Sequence, residues 1–169
     1  MTIKNRYPLP PIQEMLACLQ KASLYIKLDL RNGYYYLRIA EGEEWKTAFQ
    51  TRYGHFEYQV LPFGLTKDPC SFQHFINDTI QDFLDVFCTA FLDNILIYSS
   101  TLEENKEHVR LGLERLSAVG IHLKPEKFKF HVQQVDYLGL VITLYGFRMQ
   151  EETVATIRNC EDPEHIKDM

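Results

Sequence analysis

The sequence predicts an α+β fold: an antiparallel sheet with helices packed on one face. Three observations predict it. Short apolar β runs alternate with stretches of helical period, in the order helix, strand, small sheet, helix, hairpin, helix, small sheet. The 169 residues are 46% hydrophobic and 13% aromatic, enough for one compact core and too little for two large ones. No internal repeat, low-complexity tract or linker divides the chain.

Pro8, Pro10 and Pro11 precede apolar residues spaced i, i+3, i+4 and i+7 from Ile12 to Leu19, which reads as a helix start. Leu24 to Leu28 is a strand that runs into Asp29. Tyr34 to Ile39 and Trp45 to Thr51 read as further strands, with a turn at Arg52-Tyr53-Gly54-His55 into Phe56 to Leu61. Phe72, Phe75, Ile76, Ile80, Phe83 and Leu84 give a helical stripe over 69–85. The apolar runs Val86 to Phe91 and Ile95 to Tyr98 flank Leu92-Asp93-Asn94, and Asp-Asn is a fitting hairpin turn. Thr101 with Glu104 forms a capping box for a helix that ends near Gly120. Phe128 to Phe130, Val135 to Thr143 and Phe147 to Met149 suggest a small terminal sheet, with a short helix from Gln150. The charged stretch 161–169 reads as a tail.

The net charge of −5 runs against a non-specific nucleic-acid binder. It divides unevenly: +2 over residues 1–60, −5 over 61–120 and −2 over 121–169. Cys18, Cys70, Cys88 and Cys160 form no CxxC pair, which argues against a disulfide framework and a zinc site. No stretch has the roughly 20 apolar residues of a membrane span, and residues 1–10 have no apolar signal-peptide core. The expectation is an intracellular protein that is not secreted.

Asp29 follows an apolar strand directly and Asp93 lies at an apolar hairpin tip. Carboxylates among Leu28, Leu30, Phe91 and Leu92 are costly unless something positive compensates them. If the two strands are neighbours, their ends bring both acids to one point, and divalent cations relieve the repulsion. The plainer reading is an aspartate that only forms a turn.

The surrounding residues favour the first reading. Tyr7-Pro8-Leu9-Pro10, Leu28-Asp29-Leu30-Arg31-Asn32-Gly33-Tyr34, Lys46-Thr47-Ala48-Phe49, Leu61-Pro62-Phe63-Gly64-Leu65, Pro69 with Phe72-Gln73, Phe91-Leu92-Asp93-Asn94-Ile95-Leu96-Ile97-Tyr98 and Tyr137-Leu138-Gly139 follow one another in order. With these motifs the chain resembles the reverse transcriptase of gypsy-like LTR retrotransposons over nearly its whole length. The resemblance implies a polymerase palm with a ferredoxin-like or RRM-like core and a remnant of the fingers. It implies a palm over 1–160, fingers elements at about 1–22 and 40–66, and a tail at 161–169 leading to a thumb.

The resemblance also implies roles. Asp29 and Asp93, with Asn94, would form the catalytic centre, and the Leu30 carbonyl would add a metal ligand beside Asp29 and Asp93. Two Mg²⁺ ions, or Mn²⁺ in their place, would serve nucleotidyl transfer from dNTPs to a primer 3′-hydroxyl on an RNA or DNA template. Arg31, Asn32 and Gly33 would meet the incoming triphosphate, and Tyr34 would act as an aromatic gate against a ribose 2′-hydroxyl. Phe63 and Gly64 would shape the nucleotide pocket, Phe72 and Gln73 would face the template, and Leu138 and Gly139 would position the primer end. Lys127 is placed as a proton donor to pyrophosphate. The remaining fingers, the thumb and an RNase H region of a parent polyprotein are implied partners, in a cytoplasmic retrotransposon particle or the nucleus, with no membrane.

Three departures stand out. The family has two adjacent aspartates where this chain has Asp93-Asn94, so one negative charge is missing from the metal site. Lys67-Asp68 replaces small neutral residues before Pro69, and Phe91 replaces a tyrosine. A palm relic that binds nucleic acid or protein without catalysis is the second reading. A third is an RNA-recognition domain, since Tyr53-Gly54-His55-Phe56 is similar to an aromatic RNA-binding strand; that fold would expose aromatics on a basic sheet face.

Overall fold

A computed structural model describes residues 7–65 and 68–160. In chain order its elements are α1 (Ile12–Cys18), β1 (Leu24–Asp29), β2 (Phe49–Thr51), β3 (Gly54–Phe56), α2 (Asp68–Thr79), β4 (Cys88–Phe91), β5 (Asn94–Ser99), α3 (Leu102–Ala118), β6 (Gln134–Tyr137), β7 (Leu140–Thr143), β8 (Gly146–Met149) and α4 (Glu151–Arg158). Lys67 of the Lys67-Asp68 departure and the 161–169 tail lie outside the described residues.

The central sheet has the order β1-β5-β4 and is antiparallel throughout. Alternation along its strands separates two cores. Ile26, Leu28, Ile95 and Ile97 face α2 and α3, where they meet Phe72, Ile76, Val109 and Leu116. Tyr25, Leu96 and Tyr98 face the other way and pack on Met15, Leu19, Val135, Tyr137 and Ile142. The two longest helices thus share one face, as the sequence predicts, while α1 and the β6-β7-β8 sheet cover the other. Each of these large side chains contributes about 1.5–3 kcal/mol on burial. The strand ends that carry the acids are therefore anchored on both faces. Gly112 lets α3 approach closely, since a Cβ there would lie 2.7 Å from Ile97 Cδ1.

The capping box at Thr101 and Glu104 is present. Elsewhere the structure differs from the sequence expectation. Residues 34–39 are not a strand: Asn32 is left-handed at φ 54° and turns the chain into a 3₁₀ turn at Gly33–Tyr36. Leu37 to Ile39 is extended, and Arg38 forms a β-bridge with Val60. Trp45 likewise falls in a 3₁₀ turn, Glu44–Thr47, ahead of β2. Phe128 to Phe130 is not a strand, and 135–143 is two strands folded back at Leu138-Gly139, whose φ values of 51° and 79° suit a type I′ turn. The helix expected over 69–85 ends at Thr79, whose hydroxyl donates back to the Phe75 carbonyl at 2.8 Å.

The RNA-recognition alternative is not supported. Tyr53 and Phe56 are exposed, but they belong to the separate β2-β3 hairpin, and both faces of the central sheet are covered.

Candidate metal and nucleotide site

β1 and β5 are antiparallel neighbours with Asp29 opposite Asn94. One step further, the Leu30 N–H donates to the Asp93 carbonyl oxygen at 3.1 Å. Leu30 and Asp93, 63 positions apart in the chain, are thus joined at the end of one strand pair. Hydrogen-bonded and non-hydrogen-bonded pairs alternate along an antiparallel ladder. The Leu30 bond therefore makes Asp29 and Asn94 a non-hydrogen-bonded pair, the kind whose side chains lie closer.

The hairpin turn is offset from the expected Asp93-Asn94. Phe91 pairs with Asn94, so Leu92 and Asp93 are the two central residues and Asn94 already belongs to β5. Leu92 takes φ 52° while Asp93 does not have positive φ, the mark of a type II′ turn. An L-residue in that region costs about 1–2 kcal/mol, so the surroundings must hold it. The Asn94 amide donates to Asp93 Oδ1 at 3.1 Å. Asp29 is 9% exposed, and Lys27, two residues earlier on the same strand face, places Nζ 3.6 Å from its Oδ1.

Beyond β1, residues 122–124 cross the strand end. The Arg31 N–H donates to the His122 carbonyl at 2.8 Å and the Lys124 N–H to the Asp29 carbonyl at 3.0 Å. This crossing leads to Lys127, which is exposed and lines the same cleft of about 390 Å³ as Lys27, Asp29, Lys129 and Asp136. The Arg31 guanidinium lies 4.0 Å from Glu126.

Gly33 and Tyr34 form a second feature with Phe63 and Phe72. Tyr34 has its ring centroid 4.9 Å from each of the two phenylalanines. A Cβ on Gly33 would come within 2.6 Å of Phe72 Cζ. Phe63 is 70% exposed, and Gly64 follows with φ 101°. The structure therefore brings Gly33, Tyr34 and Phe63 together.

Phe72 and Gln73 do not face outward, which corrects the expectation that they meet a template. Both are 0% exposed, because the apolar stripe of α2 turns them onto the sheet. Gln73 accepts from the Leu92 N–H at 2.8 Å and donates to the Ala90 carbonyl at 3.0 Å. Leu138 and Gly139 lie at the β6-β7 turn. Next to them, the buried Tyr137 hydroxyl points to the Asn94 carbonyl at 3.4 Å, and burial pushes its phenol well above the usual range.

Lys27 is a site neighbour that the motifs do not reveal, and the motifs name Gln73 and Tyr137 without these contacts to the turn and to Asn94. Lys27 was findable, since a residue two before Asp29 on a strand shares its face. Among the described residues no three His, Cys, Asp or Glu side chains gather to hold a metal, in keeping with Asn94 where a carboxylate is expected.

A family model described as reverse transcriptase (RNA-dependent DNA polymerase) matches residues 1–142. The Transposon Tf2-7 polyprotein of Schizosaccharomyces pombe is 34% identical over 165 residues, covering 98% of this chain and 12% of that polyprotein. The Tf2-3 polyprotein of the same organism is 33% identical over the same length. The chain thus spans about an eighth of these relatives. Among solved structures, the foamy viral protease-reverse transcriptase in complex with an RNA/DNA hybrid has a TM-score of 0.83 at 21% identity, over 96% of this chain and 22% of that one. A second structure of that viral enzyme, with double-stranded DNA, has a TM-score of 0.84 at 22% identity, over 95% of this chain and 29% of that one. At these identities the structural likeness is one of fold.

Proposed function

The chain belongs to the reverse transcriptase (RNA-dependent DNA polymerase) family, and from that membership we propose that it is the palm, with part of the fingers, of an RNA-directed DNA polymerase carried in a retrotransposon polyprotein. The palm occupies 1–160, with fingers elements at about 1–22 and 40–66 and a tail toward a thumb at 161–169. An intracellular setting, in a retrotransposon particle or the nucleus, goes with this reading. The observation that carries it is the juncture of β1 and the β4-β5 turn, where Asp29, Asp93 and Asn94 are neighbours through the Leu30–Asp93 bond.

The donor set fits a divalent ion. Two carboxylates and the Leu30 carbonyl are hard oxygen ligands of the kind Mg²⁺ takes, and Asp29 is buried with Lys27 as its ion-pair partner. Mg²⁺, or Mn²⁺ in its place, would supply activation of a primer 3′-hydroxyl and stabilisation of leaving pyrophosphate. A second ion would lean on substrate phosphate oxygens, because Asn94 brings no charge. Asn32 and Gly33 offer backbone N–H groups toward a triphosphate. Tyr34, wedged between Phe63 and Phe72, limits the room beside the sugar and so favours dNTPs. Lys127 stands on the Asp29 cleft as a proton donor. Leu138 and Gly139 present a tight turn to the primer end of a duplex formed with an RNA or DNA template.

Mn²⁺ titration followed by paramagnetic broadening tests the metal placement. Weak binding at the Asp29 and Asp93 signals, competed by Mg²⁺ and lost in Asp29→Ala, is expected; equal binding in Asp29→Ala overturns it. Asn94 and the absence of a three-acid group among the described residues favour a second reading, a binding palm without catalysis. Primer extension on poly(rA)–oligo(dT) separates the two. Little or no extension by this chain is expected, and extension by a chain lengthened at both ends supports the polymerase over the relic.

A further inference from the structure

We propose that Gln73 is a positioning residue for the turn that carries Asp93, and that Asn77 and Tyr7 extend its hold to the start of the described chain. The proposal rests on the reading of Asp93 as a metal ligand and adds to it the device that aims the carboxylate.

Gln73 is 0% exposed. An amide that deep is tolerated only if its hydrogen-bonding capacity is used, and here it is spent on the turn. Its Oε1 accepts from the Leu92 N–H at 2.8 Å, and its Nε2 donates to the Ala90 carbonyl at 3.0 Å. The two bonds straddle Phe91, so the helix side chain grips the β4 backbone as a further strand would. Leu92 is held at φ 52°, a conformation it would leave if its N–H were released. Asp93 is the next residue, so its Cα–Cβ direction follows the Leu92 backbone.

The orientation of the Gln73 amide is itself fixed. Nε2 has two hydrogens; one goes to Ala90 and the other to Asn77 Oδ1 at 2.9 Å, which leaves Oε1 to face Leu92. The Asn77 amide nitrogen in turn donates to the Tyr7 hydroxyl at 2.8 Å. The Tyr7 ring stacks on His74 with centroids 4.5 Å apart. A single line of contacts therefore runs from residue 7 along α2 to the metal-binding turn.

The test uses this chain with two readouts, amide hydrogen exchange at Leu92 and Asp93 and Mn²⁺ affinity at Asp29 and Asp93. Gln73→Met keeps length and removes the amide. Leu116→Ala, buried in α3, is the control for general loss of stability. Relative to that control, Gln73→Met is expected to speed Leu92 exchange by roughly tenfold or more and weaken Mn²⁺ binding by roughly tenfold. Asn77→Ala should have a smaller effect on both, and Tyr7→Phe the smallest. Leu92 exchange no faster than in the control overturns the clamp. Faster exchange with unchanged Mn²⁺ affinity overturns the positioning role. Absence of Mn²⁺ binding in the unmodified chain sinks the metal reading instead, and it is recognised because it appears before Gln73 is touched.

Discussion

Asn94→Asp tests whether three side chains share one small space. Asn94 stands opposite Asp29, and its amide donates to Asp93 Oδ1 at 3.1 Å. The substitution removes that donor and sets a carboxylate against a carboxylate. Two like charges about 4 Å apart repel by about 1 kcal/mol where water screens them fully and about 4 kcal/mol at the effective dielectric of a protein surface. Asp29 is only 9% exposed, which moves the repulsion toward the upper figure. In EDTA the variant should therefore lose about 1–4 kcal/mol, a fall in Tm of roughly 2–15 °C for a domain of this size. With Mg²⁺ the sign reverses, because a bound dication turns the added charge into a ligand and stabilises the folded state by mass action. The measurement is thermal unfolding of both proteins with EDTA and with Mg²⁺. The expected result is a lower melt for Asn94→Asp without metal and a larger Mg²⁺-induced rise than in the unmodified chain. Equal melts in EDTA with equal responses to Mg²⁺ would refute the shared site. Asp29→Asn placed in the variant should remove most of its penalty, since neighbouring charges are not additive.

Three further outcomes follow from the same geometry. Lys27→Met removes the ammonium 3.6 Å from Asp29 Oδ1; calorimetry should show Mn²⁺ binding tightened severalfold, while metal-free stability falls by about 1–4 kcal/mol because buried Asp29 loses its ion-pair partner, and unchanged or weaker binding counts against competition for that carboxylate. Gly33→Ala drives a methyl to 2.6 Å from Phe72 Cζ inside a fully buried ring contact. Urea unfolding should show about 1–3 kcal/mol lost, partly restored by Phe72→Leu, whereas strict additivity would place the clash elsewhere. Burial raises the pKa of Tyr25, Cys88, Tyr98 and Tyr137 above the ordinary values of 10.0 for tyrosine and 9.0 for cysteine. The folded state thus favours the protonated groups. Their stability is present below those values and is lost as pH rises through the folded range, by about 1.4 kcal/mol per pH unit for each group. Urea midpoints should fall steeply above about pH 9–10, and less steeply in Tyr137→Phe; a flat profile would mean that these phenols and the thiol are not held neutral.

The parts of the site legible in the sequence are those where a polar residue interrupts an apolar run. Asp29 and Asp93 announce themselves because carboxylates at the ends of buried strands need a physical reason. The expectation that Phe72 and Gln73 face a template fails for a different cause. Spacing gives which helix positions share a face, but not which polar residue on that face finds partners inside, and Gln73 finds the Ala90 carbonyl and Leu92 N–H at the end of another element. The phase of the hairpin was hidden in the same way. Asp-Asn has the local chemistry of a turn, yet the ladder from Leu24–Ser99 to Asp29–Asn94 fixes Asn94 as a strand residue and leaves the positive φ to Leu92, the residue least suited to it alone. A left-handed leucine stands next to Asp93, and a buried helix side chain accepts from its N–H at 2.8 Å. Local preference yields to tertiary contact at the turn that carries Asp93.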